Sequence, residues 1–266
     1  MRFKSLGSGS TGNATLVESA GLVPFRLLVD CGLGLRQLQM RLGEAGLQLQ
    51  DIDAVFITHE HSDHVGCAVS LSLRHNIPVW MSRGTHTAMG SPDFSGRLRF
   101  ARDGDAIDLG GLEVMPFTVP HDAREPLQLT CTDGAARLGI LTDLGHATTH
   151  VLKHLQGCSA LLLECNHDTD MLAQSSYPDF LKRRVGGQYG HLSNTAAVDI
   201  IRSVMNPRLG HVVAAHLSAQ NNRADLVRGL LGKTLDCAPD DIVVARPDVG
   251  TRWLPLERCA RIVPTQ

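Results

Sequence analysis

The sequence predicts an α/β fold, and three observations support this prediction. Short apolar runs rich in β-branched residues alternate with segments of helical periodicity. Hydrophobic residues make up 43% and charged residues 20% of the 266-residue chain, so it can build an ordered core. Polar residues able to bind metal recur where the apolar runs end. Ligands of open α/β folds bind at the carboxyl ends of strands, so we expect these residues to meet in one cleft.

The chain begins with a predicted strand at residues 3–6 and a glycine-rich turn at residues 7–13. The turn matches the glycine pattern of dinucleotide-binding folds, but that pattern requires a helix directly after it. Residues 14–18 alternate as in a strand instead, so the turn indicates either a tight hairpin or a loop whose amides and hydroxyls face an anion. The next strand, at residues 26–32, contains Asp30, which either supports a neighbouring loop by hydrogen bonding or is a plain turn residue.

The segment 59–64, with the sequence His-Glu-His-Ser-Asp-His, dominates the functional interpretation. On an extended segment His59 and His61 point to the same side, while Asp63 and His64 lie at the following turn and can reach a second ion. Imidazole and carboxylate ligands without cysteine suit zinc, manganese or iron. Four ligands here and more downstream predict an open site for two ions rather than a closed structural zinc site.

The rest of the chain continues the alternation of strands and helices. Predicted helices cover residues 35–45 (ending at Gly46), 66–75, 195–205 and 223–231. Predicted strands cover residues 54–57, 77–81, 112–119, 138–145, 160–168 and 211–218, with one or two more within 241–254. Residues 83–105 indicate a surface loop or a substrate rim, and residues 171–190, which include Lys182-Arg183-Arg184, are expected to be irregular. No repeat or linker interrupts the pattern, so residues 1–266 are expected to form a single domain.

The polar residues at the strand ends resemble those of the metallo-β-lactamase-fold hydrolases. The family signature His-x-His-x-Asp-His is present as residues 59–64, and the later His, Asp and His of the family match His121, Asp143 and His216. The resemblance covers residues 1 to about 250. It implies a four-layer α/β/β/α sandwich with a dinuclear metal site at one edge.

The resemblance also implies which residues bind two divalent ions, either zinc or manganese. The first ion is expected to bind His59, His61 and His121. The second is expected to bind Asp63, His64 and His216, with Asp143 and a hydroxide bridging both ions. Asp63 is assigned to the catalytic residues as well. Paired ions of this kind activate water and stabilise both the attacking and the leaving oxygens.

Three further segments resemble tRNase Z, a phosphodiester-cleaving member of the family. They are residues 163–164, 190–194 and 215–218. In tRNase Z a histidine paired with a glutamate protonates the departing oxygen, so the resemblance implies that His191 is the general acid and that Glu164 orients it. The alternative is that His191 merely precedes a helix. The whole pattern resembles the bacterial YycJ/WalJ group, which is associated with 5′–3′ DNA exonuclease activity.

These observations favour a metal-dependent phosphodiesterase, a nuclease acting on nucleic-acid ends. A thioesterase or lactonase of the same fold and a non-catalytic metal-binding module are the alternatives. A net charge of −2 and an aromatic content of 4% give no global attraction to nucleic acid, so local basic residues or the ions must provide it. The seven other histidines are interpreted as surface or core residues: His75, His86, His146, His150, His154, His167 and His211.

Seven cysteines are scattered singly, which predicts free thiols in a reducing compartment. The amino-terminal residues lack the apolar segment of a secretory signal, and no stretch has membrane-spanning length. A cytoplasmic protein without membrane association is therefore expected, and its oligomeric state is left open.

Overall fold

The computed structural model describes residues 1–256. Its strands are β1 (Arg2–Gly7), β2 (Ala14–Glu18), β3 (Arg26–Val29), β4 (Ala54–Phe56), β5 (Val79–Met81), β6 (Leu98–Phe100), β7 (Ile107–Asp108), β8 (Glu113–Thr118), β9 (Leu127–Thr132), β10 (Arg137–Leu141), β11 (Ala160–Glu164), β12 (His211–Ala215), β13 (Val243–Val244) and β14 (Leu254–Pro255). Its helices are α1 (Leu35–Glu44), α2 (Ser62–Val65), α3 (Ala68–His75), α4 (Arg83–Ala88), α5 (Thr149–Leu155), α6 (Thr169–Gln174), α7 (Asp179–Val185), α8 (Asn194–Val204) and α9 (Ala224–Leu235). Single 3₁₀ turns lie at Leu49–Asp51 and Pro239–Asp241.

The strands form two mixed sheets of seven strands each. The strand order is β14-β1-β2-β3-β4-β5-β6 in the first sheet and β13-β12-β11-β10-β9-β8-β7 in the second. Strands β3 to β6 are parallel in the first sheet, as are β10 to β13 in the second. The remaining pairs are antiparallel. The parallel regions bring the carboxyl ends of several strands to a shared edge.

The two sheets pack face to face, and helices cover both outer faces. Side chains alternate along β3. Leu27 and Val29 therefore lie in the core between the sheets, while Leu28 lies in the core between the first sheet and its helices. Helices α1 and α3 cover the first sheet, and α5, α8 and α9 cover the second. This α/β/β/α arrangement confirms the predicted fold class.

The loops that follow three strands turn sharply at residues with left-handed backbone. Asp30 follows β3, Asp143 follows β10 and His216 follows β12, with φ angles of 61°, 56° and 53°. Residues other than glycine seldom adopt this conformation, and it concentrates at functional sites. All three residues lie in the candidate site described below.

Several local predictions were wrong. Residues 171–190, expected to be irregular, contain most of α6 and all of α7, and residues 83–105 contain α4 and β6. The short α6 is stabilised by Asp168, whose carboxylate caps its first turn, rather than by an apolar stripe. The predicted helix 66–75 is present as α3, which begins two residues later, at Ala68. Gly66, where a Cβ atom would lie 2.3 Å from the carbonyl oxygen of Cys31, separates α3 from the short helix α2, which was not predicted. Helix α5 and strand β9 were not predicted.

Within residues 1–256, no helix combines the length and the apolar character needed to cross a membrane. Six cysteines of this part of the chain are free, and five of them are buried. Cys259, the seventh, lies outside the described residues.

Candidate metal centre

The histidine-rich segment leaves strand β4 at the shared sheet edge and enters α2. His59 and His64 are fully buried, whereas the His61 side chain is 30% exposed. Because α2 begins at Ser62, Asp63 and His64 lie on its first turn, just beyond the His59–His61 pair. The segment therefore supplies donors to two neighbouring groups.

The first group consists of three imidazoles. His59 Nε2 lies 3.0 Å from His61 Nδ1, and His121 Nε2 lies 3.4 Å from the same atom. Burial lowers the pKa of His59 well below its usual value and also lowers that of His121, so both rings are held neutral with a lone pair available. Two nitrogens bound to one tetrahedral zinc lie roughly 3.3 Å apart, so the spacing suits a single cation.

The second group combines Asp63, His64 and His216. Asp63 Oδ2 lies 3.6 Å from His64 Nε2 and 3.6 Å from His216 Nε2. Asp143 lies beside this group, with Oδ2 3.1 Å from His64 Nε2 and Oδ1 2.9 Å from His216 Nδ1. Asp143 also lies within ligand distance of His59, so this carboxylate adjoins both groups.

The charges in this second group favour the binding of a cation. Burial opposes the charged form of His64, but the carboxylates of Asp143 and Asp30 raise its pKa to about 10. Apart from this ion pair with His64, the buried Oδ2 atom of Asp143 has no hydrogen-bond partner among residues 1–256. A buried anionic oxygen is costly without a counter-ion, and a metal would replace the protons on the imidazoles. The donor set of nitrogen and carboxylate oxygen fits divalent cations.

Hydrogen bonds to the ring nitrogens that face away from the cluster fix the orientation of the candidate metal ligands. Asp30 Oδ2 lies 2.7 Å from His64 Nδ1, and Asp30 also accepts hydrogen bonds from the backbone and hydroxyl of Thr58. His121 Nδ1 donates to the carbonyl of Gly190 over 3.0 Å, which leaves Nε2 free for the cluster. The structure thus favours the supporting role for Asp30 over a plain turn residue.

The glycine-rich turn at residues 7–13 joins β1 and β2, which pair as an antiparallel hairpin. Its last residue, Asn13, donates a backbone hydrogen bond of 2.8 Å to the carbonyl of Asp63 and a side-chain hydrogen bond of 3.2 Å to Asp63 Oδ2. This contact was not predicted. Ser10 of the same turn lines the cavity, so contact of the turn with an anion stays a prediction.

His191 and Glu164 form a pair at the edge of the second group. His191 Nδ1 lies 2.8 Å from Glu164 Oε1, and Glu164 Oε2 accepts hydrogen bonds of 3.1 Å from the backbones of Leu144 and Leu192. Although burial opposes both shifts, His191 lowers the pKa of Glu164 to about 2, and Glu164 raises that of His191. His191 Nδ1 is also 3.4 Å from Asp143 Oδ1. The glutamate therefore favours the protonated form of this imidazole beside the metal-binding groups.

A cavity of about 440 Å³ opens onto both groups. The candidate residues that line it are His61, Asp63, Asp143, His191 and His216. Asp122 and Arg184, which were not predicted as site residues, line it too, and Arg184 Nε donates to Asp122 Oδ2 over 2.6 Å. These two residues are 62 positions apart, so no local sequence pattern connects them.

A further cluster lies elsewhere on the surface. His150 and His154, one helical turn apart on α5, lie with Asp103 at distances that could hold a metal ion. His150 Nε2 is 2.8 Å from Asp103 Oδ1. All three side chains are at least partly exposed, and the interpretation of the two histidines as surface or core residues stays a prediction.

The fold and the clustered donors are those of a metallo-β-lactamase-type hydrolase, and the chain belongs to this superfamily. A family model described as a beta-lactamase superfamily domain matches residues 25–216. The chain is similar to the exodeoxyribonuclease YycJ of Bacillus anthracis, with 32% identity over 240 residues that cover 89% of each protein. It is also similar to the exodeoxyribonuclease WalJ of Streptococcus pneumoniae, with 28% identity over 258 residues covering 90% of this chain and 95% of that protein.

A solved structure shares the same fold. The metallo-β-lactamase-fold protein YhfI of Bacillus subtilis superposes with a TM-score of 0.73 at 16% identity. The match covers 96% of this chain and 99% of that protein. The predicted family and fold are thus confirmed.

Proposed function

We propose that this chain is a metal-dependent nuclease that hydrolyses phosphodiester bonds of DNA from an end, in the 5′–3′ direction. The names of two relatives that match along most of the chain support this proposal. The observation that carries it is the His191–Glu164 pair, which lies beside the clustered metal-ligand residues at one cavity. The free cysteines of the described part of the chain fit a reducing compartment, and we place the activity in the cytoplasm.

The proposed cofactors are two divalent cations, zinc or manganese. His59, His61 and His121 would hold one cation, and their converging nitrogens support this assignment. The second would be held by Asp63, His64 and His216, with Asp143 shared between the two. Bound cations of this kind lower the pKa of water and neutralise charge that develops on a phosphate.

The chain's own residues supply orientation and a proton. Asp30 and the carbonyl of Gly190 hold His64 and His121 with the correct nitrogen toward the cluster. Glu164 accepts a hydrogen bond from His191 Nδ1, so the opposite nitrogen, Nε2, can give its proton to the leaving oxygen. An alkoxide is a poor leaving group without such a proton, whereas a thiolate departs more readily. The pair therefore favours phosphodiester over thioester hydrolysis.

The test is digestion of 5′-phosphorylated single- and double-stranded DNA and RNA, labelled at either end, with zinc or manganese loaded in turn. We expect DNA to be shortened from its 5′ end with at least one of the metals. Parallel assays with bis(p-nitrophenyl) phosphate and with a thioester test the alternative. Thioester hydrolysis without turnover of any phosphodiester would overturn the proposal, and the absence of turnover in every assay would favour a non-catalytic metal-binding module.

A further inference from the structure

Helix α7 and the turn that follows it, residues 179–190, border the cavity; we call this segment the α7 rim. Leu181, Arg184 and Val185 line the cavity together with His191, yet α7 buries none of its own residues. Three of the seven side chains of this helix thus line the cavity, and none is buried in the core.

The α7 rim is nevertheless fixed to the loops of the site. His191 donates its backbone N–H to the carbonyl of Val185 over 2.8 Å, and Asp122 donates its backbone N–H to the carbonyl of Tyr189 over 2.9 Å. His146 Nδ1 lies 2.9 Å from the carbonyl of Gln188. These contacts hold the exposed surface in a defined position relative to His191.

The two most exposed aromatic side chains of the described chain lie on the α7 rim. Phe180 and Tyr189 are 66% and 61% exposed, and no other aromatic side chain is as exposed among the large hydrophobic residues of the described chain. Phe180 lies one helical turn before Arg183 and Arg184, so these three side chains are neighbours on α7. Exposed aromatic surface beside a cavity is a common mark of a binding site.

Three consecutive basic residues, Lys182, Arg183 and Arg184, lie between the two aromatic residues in the sequence. Arg184 forms a salt bridge with Asp122. Lys182 Nζ donates to the carbonyl of Ala173, and within residues 1–256 neither Lys182 nor Arg183 pairs with a carboxylate. Two positive charges are therefore available on the rim of a cavity in a chain whose net charge is −2.

We propose that the α7 rim is a binding platform for single-stranded nucleic acid. Bases stack on Phe180 and Tyr189, and Lys182 and Arg183 neutralise the phosphates of the strand that enters the cavity. Non-specific single-strand sites combine these two features, since every base has a face that can stack. This inference rests on the proposed nuclease function and assigns the surface that receives its substrate.

Charge favours nucleic acid over a second copy of this chain as the occupant. Self-association through the rim about a two-fold axis would bring the same basic residues of two copies together, which is unfavourable. A polyanion instead complements Lys182 and Arg183 and supplies planar groups for the aromatic rings.

The stacking contacts are tested with Phe180→Ala and Tyr189→Ala. The measurement is the affinity of the metal-loaded protein for a phosphorothioate oligothymidine, followed by fluorescence anisotropy. We expect each substitution to weaken binding roughly five- to 150-fold, the range for loss of one stacked base. The control is Met40→Ala, which shortens a side chain of similar exposure on α1, and it should change affinity less than twofold. Affinities of Phe180→Ala and Tyr189→Ala within twofold of the unmodified protein would overturn the platform.

The phosphate contacts are tested with Lys182→Gln and Arg183→Gln. The slope of log affinity against log salt should become shallower by roughly 0.7 for each substitution, as expected when one single-strand phosphate contact is lost. Arg36→Gln, at an exposed arginine on α1, should leave the slope unchanged. An unchanged slope in the Lys182 and Arg183 variants would contradict the assignment.

The outcomes separate this inference from the proposed function. If the unmodified protein degrades DNA but the variants at Phe180 and Tyr189 bind and degrade it equally well, the platform is wrong and the nuclease proposal stands. If the unmodified protein hydrolyses no phosphodiester, the proposed function is wrong, and the binding measurements alone decide whether the platform exists. A protein that sediments as a dimer and becomes monomeric on Phe180→Ala would show that a second copy occupies the rim, and would also overturn the platform.

Discussion

At the scale of single residues, the candidate site depends on hydrogen bonds that decide which nitrogen of each histidine faces the cluster. Asp30 holds His64, the carbonyl of Gly190 holds His121, and Glu164 holds His191. Each partner comes from a different part of the chain. Substitutions of the partners should therefore affect function without removing a proposed ligand.

Replacing His191 with Ala should lower kcat for DNA about 10²–10⁴-fold, because a proton donor for the leaving oxygen is lost. The metal content should stay near two ions per chain. Turnover of bis(p-nitrophenyl) phosphate, whose leaving group needs little protonation, should fall much less. Loss of metal in His191→Ala would assign this residue to the ligands instead.

Replacing Asp30 with Asn should weaken metal affinity about 10–100-fold, because His64 loses the carboxylate that orients it. Metal content after dialysis against a graded chelator series measures the effect. Excess metal should restore turnover, since the proposed ligands themselves remain. A variant that binds metal normally would leave Asp30 with only a structural role.

At the scale of elements, helix α2 packs directly against the loop that follows β3. The carbonyl of Asp63 would lie 1.7 Å from a Cβ atom placed on Gly32, and Cys31 donates its backbone N–H to the carbonyl of His64 over 2.7 Å. The positions of Asp63 and His64 therefore depend on the absence of a side chain at residue 32.

Gly32→Ala should displace α2, lower the free energy of unfolding by about 1–3 kcal/mol and reduce the metal content. Gly43→Ala is the matched control, since a Cβ atom there meets nothing within 4 Å and lies within helix α1. The Gly43→Ala substitution should raise the free energy of unfolding by about 0.5–1 kcal/mol. Urea denaturation and metal analysis of both variants measure these changes. Equal unfolding free energies and equal metal contents in the two variants would refute the close contact between Gly32 and Asp63.

Three neighbouring strands are linked by one buried carboxylate. Glu18 on β2 accepts from Arg2 on β1 over 2.6 Å and from Arg26 on β3 over 2.8 Å. Burial opposes ionisation, but the two guanidinium groups hold the pKa of Glu18 below its usual value. The stabilisation is therefore complete above the ordinary glutamate pKa and is lost as the pH falls through the lowered value.

Glu18→Gln should cost about 1–3 kcal/mol of unfolding free energy at pH 7, because two charged hydrogen bonds are lost. The difference from the unmodified protein should shrink as the pH falls below about 4.3 toward 3. Denaturant titrations at both pH values measure it, with the exposed Glu113→Gln as control. A difference in unfolding free energy that grows on acidification would contradict the stabilising role of the ionised Glu18.

At the scale of the whole molecule, the candidate site combines residues from both sheets. Loops after β3 and β4 of the first sheet supply Asp30 and the segment 59–64, while loops after β10 and β12 of the second supply Asp143 and His216. A cation shared by these loops would connect the two halves of the sandwich.

Removal of metal by a chelator should therefore lower Tm as well as abolish turnover. A ligand that binds the folded chain at 100 times its Kd contributes about 2.7 kcal/mol. Calorimetry before and after chelation, followed by addition of zinc or manganese, checks both the loss and its reversal. An unchanged Tm on complete removal would mean that the ions do not stabilise the sandwich.

The fold was predicted from the sequence, and the predicted donors lie together in the structure, because both are marked by strong local patterns. The roles of the donors as metal ligands stay predictions. Apolar strands followed at once by His, Asp or Glu are readable residue by residue, and the comparisons confirm the family. The helices α5, α6 and α7 have only six or seven residues each and bury at most two of them, so periodicity did not reveal them. Contacts of Asn13 and Arg184 join residues 50 and 62 positions apart, which no local pattern encodes.

The left-handed backbone at Asp30, Asp143 and His216 has a consequence for mutagenesis. Each position specifies both a chain reversal and a chemical group, so most replacements would disturb the two together. Asparagine tolerates this conformation better than other residues with a side chain, and it is nearly isosteric with aspartate. Asp143→Asn therefore removes the charge and preserves the bend, whereas Asp143→Val would also oppose the bend itself.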